Sequence, residues 1–454
     1  MGRPQGLTRR NGVIPVTRLT IIYRPVAALT PRASNPRTHS QKQLEQIAAS
    51  IRHFGFTNPV LIDDDDGIIA GHGRVAAATL IGMSEVPTVR LSHMSEADVR
   101  AYVIADNRLA EQAGWDRELL AVEFTYLSAL DLDFDLSITG FELPEIDILL
   151  DEARTDPLTG IDNIPEPEPG PAVTRPGDLW LIGDHKLICS DALDVTSYDR
   201  LLGEKRAQMV FTDPPYNVPI AGHVSGLGQV RHREFAMATG EMSRDAFTTF
   251  LTTVYGHLVT FAIDGSLHYL CMDWRHMGEM LAAGNAVYSD LKNLCVWAKT
   301  NGGMGSLYRS QHELVFVFKA GSAPHINNVE LGRHGRYRTN IWSYPGVNSF
   351  GGQREDLALH PTVKPVALVA DALRDGSHRG GIVLDAFAGS GSTLIAAEQT
   401  GRRGRVIELD PLYCDVIVRR MKAVCGIDAR LETSGETFEE IATERAADLP
   451  EAAE

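Results

Sequence analysis

The chain has no Cys-x-x-Cys pair. Its five cysteines, Cys189, Cys271, Cys295, Cys414 and Cys425, are scattered and odd in number. That pattern excludes a disulfide framework and a clustered zinc site, and it fits reduced thiols in a cytoplasmic protein. No apolar run reaches the roughly eighteen residues that a membrane span needs. The start, Met1-Gly2-Arg3-Pro4-Gln5, lacks the apolar core of a secretory signal. Net positive charge is missing too: the formal charge is −16, which weighs against nucleic acid as a partner. Charge is unevenly spread, however. Residues 331–354 carry Arg333, Arg336, Arg338, Arg354 and His334 with no acidic residue, so a local basic face towards phosphates is expected.

What is present is a chain of 454 residues, 44% of them hydrophobic, enough for two or three domains with real cores. Residues 1–105 read as a small α+β unit. Leu44, Ile47, Ala48 and Ile51 share one helical face. Val60-Leu61-Ile62 and Gly67-Ile68-Ile69-Ala70 read as short strands, with the acidic run Asp63–Asp66 as a solvated turn between them. Residues 106–155 read as a helical extension. Six prolines between Asp156 and Gly177 cannot support helix or sheet and mark 156–177 as a linker. From 178 to 430, apolar runs alternate with helical stretches, the pattern of a doubly wound sheet. Strands are expected at 266–272, 294–298 and 313–318. A glutamate-rich tail, 431–454, follows.

Two segments of the larger unit carry chemistry. Asp213-Pro214-Pro215-Tyr216 ends the apolar run 208–212. Asp385-Ala386-Phe387-Ala388-Gly389-Ser390-Gly391-Ser392-Thr393 ends another, 381–384. Both read as loops leaving buried parallel strands, where open α/β sheets place ligands. Asp213 offers a carboxylate acceptor to an amino group. Pro214 offers a carbonyl whose direction the next proline fixes. Tyr216 offers a face for a planar ring. In the second loop the glycines let backbone pass close to a ligand. Glu408, about 20 residues on, stands where a carboxylate commonly binds ribose hydroxyls. The loop reads Gly-Ser-Gly-Ser-Thr. It matches neither the dinucleotide fingerprint nor a phosphate cradle ending in Gly-Lys-Ser/Thr.

On these motifs, 178–430 resembles the β-class DNA amino-methyltransferases (the N6-adenine/N4-cytosine family), in which the catalytic loop precedes the cofactor loop. Gly177-Asp178-Leu179-Trp180 with Cys189-Ser190-Asp191-Ala192, and His360-Pro361-Thr362-Val363-Lys364-Pro365, are similar to further family segments. The resemblance implies a Rossmann-like methyltransferase fold that uses S-adenosylmethionine. Asp191 would contact the cofactor's adenine. Thr362 and Lys364 would line its methionine end. Asp385, Phe387, Gly389, Ser390, Gly391, Thr393 and Glu408 would complete the site. The common Asp-Pro-Phe is Asp385-Ala386-Phe387 here, which keeps the charged and aromatic positions. Asp-Pro-Pro-Tyr is the family form more typical of adenine N6 enzymes, so a site-specific adenine methyltransferase is expected, with cytosine N4 as the alternative. The cytosine C5 route needs a cysteine nucleophile, and no Pro-Cys pair occurs.

The amino-terminal unit resembles the ParB/sulfiredoxin-like domain at Asn35-Pro36-Arg37, Ser50–Phe56, Asn58-Pro59-Val60 and Gly71-His72-Gly73-Arg74. The family's nucleotide-binding forms usually have Gly-Glu-Arg-Arg at the last position. Arg74 and His72 are the candidate phosphate contacts. The resemblance implies double-stranded DNA as partner, and leaves open a nucleotide at the first unit, a homodimer and a restriction-modification setting. The target base must leave the helix to reach Asp213. Base reading is expected from the insertion between Tyr216 and His360: the loop 217–240, the loop 301–310, and the arginines Arg333, Arg336, Arg338 and Arg354 beside Tyr337, Trp342, Tyr344 and Phe350. A non-catalytic ParB-like regulatory protein and an RNA-modifying enzyme are the rival readings. The intact Asp213, Tyr216, Gly389, Gly391 and Glu408 oppose the first of these.

Overall fold

The computed structural model describes residues 18–128, 130, 132–153, 161–162, 164–165, 170–217, 240–300, 302, 307–332, 336–345 and 363–447. The chain divides into two compact units, Met1–Glu142 and Leu143–Glu454. No helix among the described residues is long and apolar enough to cross a membrane.

The first unit is built on a sheet of order β1-β4-β2-β3. Its strands are β1 (Ile21–Pro25), β2 (Val60–Ile62), β3 (Ile68–Ala70) and β4 (Glu85–Arg90). Its helices are α1 (Gln41–Phe54), α2 (His72–Leu80), α3 (Glu96–Gln112) and α4 (Arg117–Ser128). Helix α1 begins before the apolar face does, because Ser40 accepts a hydrogen bond from Gln43 N and caps it. The acidic run makes the β2–β3 turn: Asp63 Oδ1 accepts from Asp65 N at 3.0 Å and Gly67 N at 2.7 Å. Asp66 there pairs with Arg24 and Arg90. At the start of α2, His72 Nε2 accepts from Arg32 N at 3.3 Å. Burial lowers the His72 pKa, so it stays neutral. Arg74 donates to the Pro59 carbonyl at 3.3 Å.

The second unit opens with α5 (Leu143–Glu152), a helix that sequence reasoning grouped with the amino-terminal extension. Buried Asp147 explains its allegiance: it receives Arg402 at 2.7 Å and Arg379 at 3.0 Å from the larger unit. The strands are β5 (Leu179–Ile182), β6 (His185–Cys189), β7 (Ala207–Thr212), β8 (Ala262–Met272) and β9 (Asp290–Ala298). They continue with β10 (His312–Lys319), β11 (Ile341–Ser343), β12 (Ile382–Asp385), β13 (Arg403–Glu408) and β14 (Ala429–Leu431). All ten form one sheet, β11-β9-β10-β8-β7-β12-β13-β6-β5-β14. Its middle, β8-β7-β12-β13-β6, is parallel.

Helices α6 (Val195–Leu202), α7 (Arg244–Thr260) and α8 (Met277–Val287) share one core with the sheet. Helices α9 (Val366–Gly376), α10 (Ser392–Thr400), α11 (Pro411–Cys425) and α12 (Phe438–Ala447) share the other. Alternate residues of β7 feed the two cores, Met209 and Phe211 one and Val210 the other, while Ala207, across a register shift, joins Val210. This is the doubly wound α/β architecture expected from the alternating runs. The stretch after Leu431 differs from a plain acidic tail. Phe438 and Ile441, one helical turn apart, are buried, and Phe438 lies 5.3 Å from the Trp180 ring. Two apolar residues at that spacing dock an otherwise glutamate-rich helix.

Candidate active site

Strand β7 connects onward to β8 on one side. Strand β12 connects to β13 on the other. The two lie side by side, so a topological switch point opens at their carboxyl ends. Asp213 follows β7, Asp385 ends β12, Glu408 ends β13 and Asp191 lies just past β6. The four predicted positions thus fall on one edge of adjacent parallel strands. A direct bond ties the two loops together: Thr212 Oγ1 donates to Asp385 Oδ1 at 2.7 Å.

Around Asp213 the structure assembles a buried network of alternating charge. Lys364 Nζ lies 2.5 Å from Asp213 Oδ2, 3.0 Å from the Tyr216 hydroxyl and 2.9 Å from Glu313 Oε2. Tyr216 OH is 2.6 Å from Asp213 Oδ1 and 3.1 Å from Glu313 Oε2. Glu313 also pairs with Lys299, whose ammonium sits 4.5 Å over the Trp297 ring. Burial works against the charge on Glu313, but Lys364 and Lys299 overrule it and hold its carboxyl at about 2. Burial would likewise discharge Lys364, and Asp213 and Glu313 keep it protonated. Burial pushes the Asp213 carboxyl up, with Lys364 pulling against it. Two carboxylates and two ammoniums leave the cluster neutral, which is what a low-dielectric site tolerates.

Lys364 was expected at the cofactor; the structure places it on Asp213. Glu313 and Lys299 were not foreseen as site residues. The available signal was Glu313 itself, a carboxylate opening the otherwise apolar strand 313–318, where a buried charge needs a partner.

The glycine loop is organised from within. Asp385 accepts from Thr393 Oγ1 at 2.6 Å and from Phe387 N at 3.0 Å. Burial raises its carboxyl to about 6. Ser390 faces Arg420, whose Nη1 donates to Ser390 O at 2.9 Å and to its Oγ at 3.1 Å. The side chains of Asp385, Ser390 and Thr393 therefore shape the loop. Gly389 and Gly391 have φ of 53° and 83°, and a Cβ on Gly389 would project into open space. Glu408 accepts from Gly389 N at 2.8 Å and Asp410 N at 2.9 Å. Burial still lifts its carboxyl to about 7. Phe387 packs against Phe250 with ring centroids 6.0 Å apart. Asp191 accepts from Leu193 N at 2.9 Å.

The basic stretch differs from expectation. Arg336 pairs with Asp375 at 2.7 Å, and Arg338 pairs with Asp375 at 3.0 Å and Asp371 at 3.2 Å. Both carboxylates belong to α9. The charge read as phosphate-directed is spent inside the fold, because acidic residues distant in sequence lie beside it. Arg333, Arg354, Thr362 and residues 218–239, 301 and 303–306 of the two loops lie outside the described residues.

Three stretches of the chain match known families. Residues 207–419 match the DNA methylase family. Residues 16–107 match the ParB N-terminal domain, and 118–176 the ParB-methyltransferase HTH domain. Over 79 residues the chain is 52% identical to the ParB-like nuclease domain-containing protein YnaK of Escherichia coli (strain K12), spanning 17% of this chain and 91% of that one. Over 216 residues it is 28% identical to YubD of the same organism, a methylase by name, spanning 47% of this chain and 82% of that one. Among solved structures, PvuII DNA methyltransferase (cytosine-N4-specific) is 15% identical with a TM-score of 0.41, covering 58% of this chain and 93% of that one. With Asp213 and the glycine loop at one sheet edge and the family match over 207–419, this stretch is a DNA methylase domain of the N6/N4 family, and residues 16–107 form a ParB N-terminal domain.

Proposed function

We propose that this protein transfers a methyl group from S-adenosylmethionine to the exocyclic amino nitrogen of a base rotated out of double-stranded DNA, with adenine N6 as the target. The observation that carries this reading is the Thr212–Asp385 hydrogen bond. It holds the amino-accepting loop and the glycine loop on neighbouring strand ends, so two reactants bound there would meet. Asp213 at the head of Asp-Pro-Pro-Tyr is what favours adenine over cytosine.

The residues fit the cofactor. Backbone at Gly389 leaves open space where a side chain would stand. The Glu408 carboxylate, partly open to the crevice, is held by two backbone N–H groups and keeps lone pairs for ribose hydroxyls. Asp191, just past β6, is the residue proposed for the adenine. When bound, the cofactor supplies an electrophilic methyl on a sulfonium. The chain supplies position and polarisation. An exocyclic amino group is a poor nucleophile because its lone pair is delocalised into the ring. Asp213 and the Pro214 carbonyl accept its two hydrogens and draw density onto the nitrogen. Tyr216, steadied at its hydroxyl by Asp213, Glu313 and Lys364, presents its ring to the base, a stacking contact worth about 1–3 kcal/mol. Orientation of this kind supplies a large part of the acceleration in two-substrate reactions.

The test is direct. Purified protein is incubated with labelled S-adenosylmethionine and unmethylated duplex DNA, and the DNA is digested to nucleosides. N6-methyladenine is expected, with loss of at least about a hundredfold in D213A. N4-methylcytosine would move the target to cytosine, and absence of transfer to any DNA would overturn the reading.

A further inference from the structure

The proline-rich segment ahead of the methylase fold is fastened where the two site loops are built. Helix α9 starts at Val366, directly after Lys364-Pro365, and its N-cap Pro365 provides no side-chain cap. A helix start leaves N–H groups in need of acceptors. Val366 N finds one 204 residues away, in Asp162 Oδ1 at 2.9 Å. The adjacent Ile161 carbonyl accepts from Arg420 Nη2 at 2.8 Å. Arg420 is fully buried, and its other terminal nitrogen holds Ser390 and Ser392 in the glycine loop. Burial lowers Arg420 to about 10, and Asp162 works against that fall. One turn of chain therefore caps the helix that follows Lys364 and, through Arg420, reaches the glycine loop.

The attachment extends in both directions. Asp151, before the turn, pairs with Arg374 in the last turn of α9 at 2.6 Å. After it, Val173 N and Thr174 N donate to Asp415 on α11 at 2.7 and 2.9 Å. A passive tether would leave these groups to water. Here a carboxylate also sits at the positive end of a helix, where its charge is favourable.

We infer that Asp162 is a positioning residue of the methyl-transfer site: it caps α9 from outside and, with Ile161 on Arg420, holds the Lys364 segment in register with the glycine loop. This rests on the proposed use of S-adenosylmethionine at that loop. The consequence is that residues outside the methylase sheet set cofactor affinity.

The experiment uses the full chain. S-adenosylmethionine binding by calorimetry, unfolding temperature without ligand, and methyl transfer at saturating cofactor are measured for wild type, D162A, D162N and D162S. In D162A the Kd is expected to rise about five- to tenfold, the effect of losing one N-cap. D162N and D162S, whose side-chain oxygens accept the same N–H, are expected within about threefold of wild type. A D162A protein whose unfolding temperature falls while its Kd stays at the wild-type value would overturn the inference and leave a structural cap only. Should D162A fail to fold, weak binding in both D162N and D162S would overturn it, and tight binding in both would support it. Absence of binding by the wild-type chain would overturn the proposed function and this inference together.

Discussion

A carboxylate and an ammonium as close as Asp213 and Lys364 do not act as separate groups. The lysine charge steadies Asp213, the acceptor proposed for the target amino group, and Glu313 steadies the lysine. Removing the Glu313 charge leaves buried Lys364 paired with Asp213 and takes the Glu313 ion pair from half-buried Lys299; breaking a buried pair typically costs about 3–5 kcal/mol. E313Q is therefore expected to lower the unfolding temperature and to reduce kcat for methyl transfer about a hundredfold, measured on the same preparation. Glu408 gives a pH prediction. Its folded-state carboxyl is raised to about 7 by burial. The folded chain thus binds this proton more tightly than the unfolded one, so its contribution to stability is largest at low pH and declines as pH rises towards 7. Accepting ribose hydroxyls requires the ionised form. Cofactor affinity should strengthen several-fold between about pH 6 and pH 8, with proton release on binding, and E408Q should flatten that slope. At this scale the positions of Asp213 and Glu408 at strand ends were legible because each ends an apolar run. Arg336 and Arg338 were misread because Asp371 and Asp375, which neutralise them, lie more than thirty residues on.

At the scale of elements, the strand-to-helix turn after β12 is the one proposed to hold the cofactor. Gly391 has φ 83°, and a Cβ there would meet the Ile417 side chain at 3.1 Å. The left-handed conformation alone costs a non-glycine residue about 1–2 kcal/mol. G391A is expected to lower the unfolding temperature by several degrees and to weaken cofactor binding more than tenfold, as calorimetry would show. The alternation of apolar runs and the glycine loop announced this turn. The strand opened by Glu313 was also visible. Its partnership with Lys299 was not, because that pair forms only when β9 and β10 lie antiparallel.

For the whole molecule, the boundary that matters is where the second unit begins. It includes α5, whose Asp147 is the buried partner of Arg402. A fragment starting at Leu143 is expected to fold and retain methyl transfer. One starting at Ala153 strips Asp147 away and leaves Arg402 buried without its carboxylate, a loss of about 3–5 kcal/mol. Thermal unfolding of the two fragments side by side checks this, and equal stability would refute it. The proline content of 156–177 suggested a cut inside that segment. The ion pairs of α5 and the grip of Asp162 move it earlier.

Local order by itself determined much here. Runs of apolar residues set the strands, and the polar or glycine-rich residues ending them marked the loops proposed to carry chemistry, since both follow from short-range periodicity and backbone freedom. Only the tertiary structure decided which charges meet. Lys364 on Asp213, Glu313 beneath Tyr216, Arg338 against α9 and Asp162 at the start of that helix all join residues far apart in the chain. Such pairs exist because desolvation makes an unmatched buried charge costly, and the sheet alone determines which opposite charges are near enough to answer it.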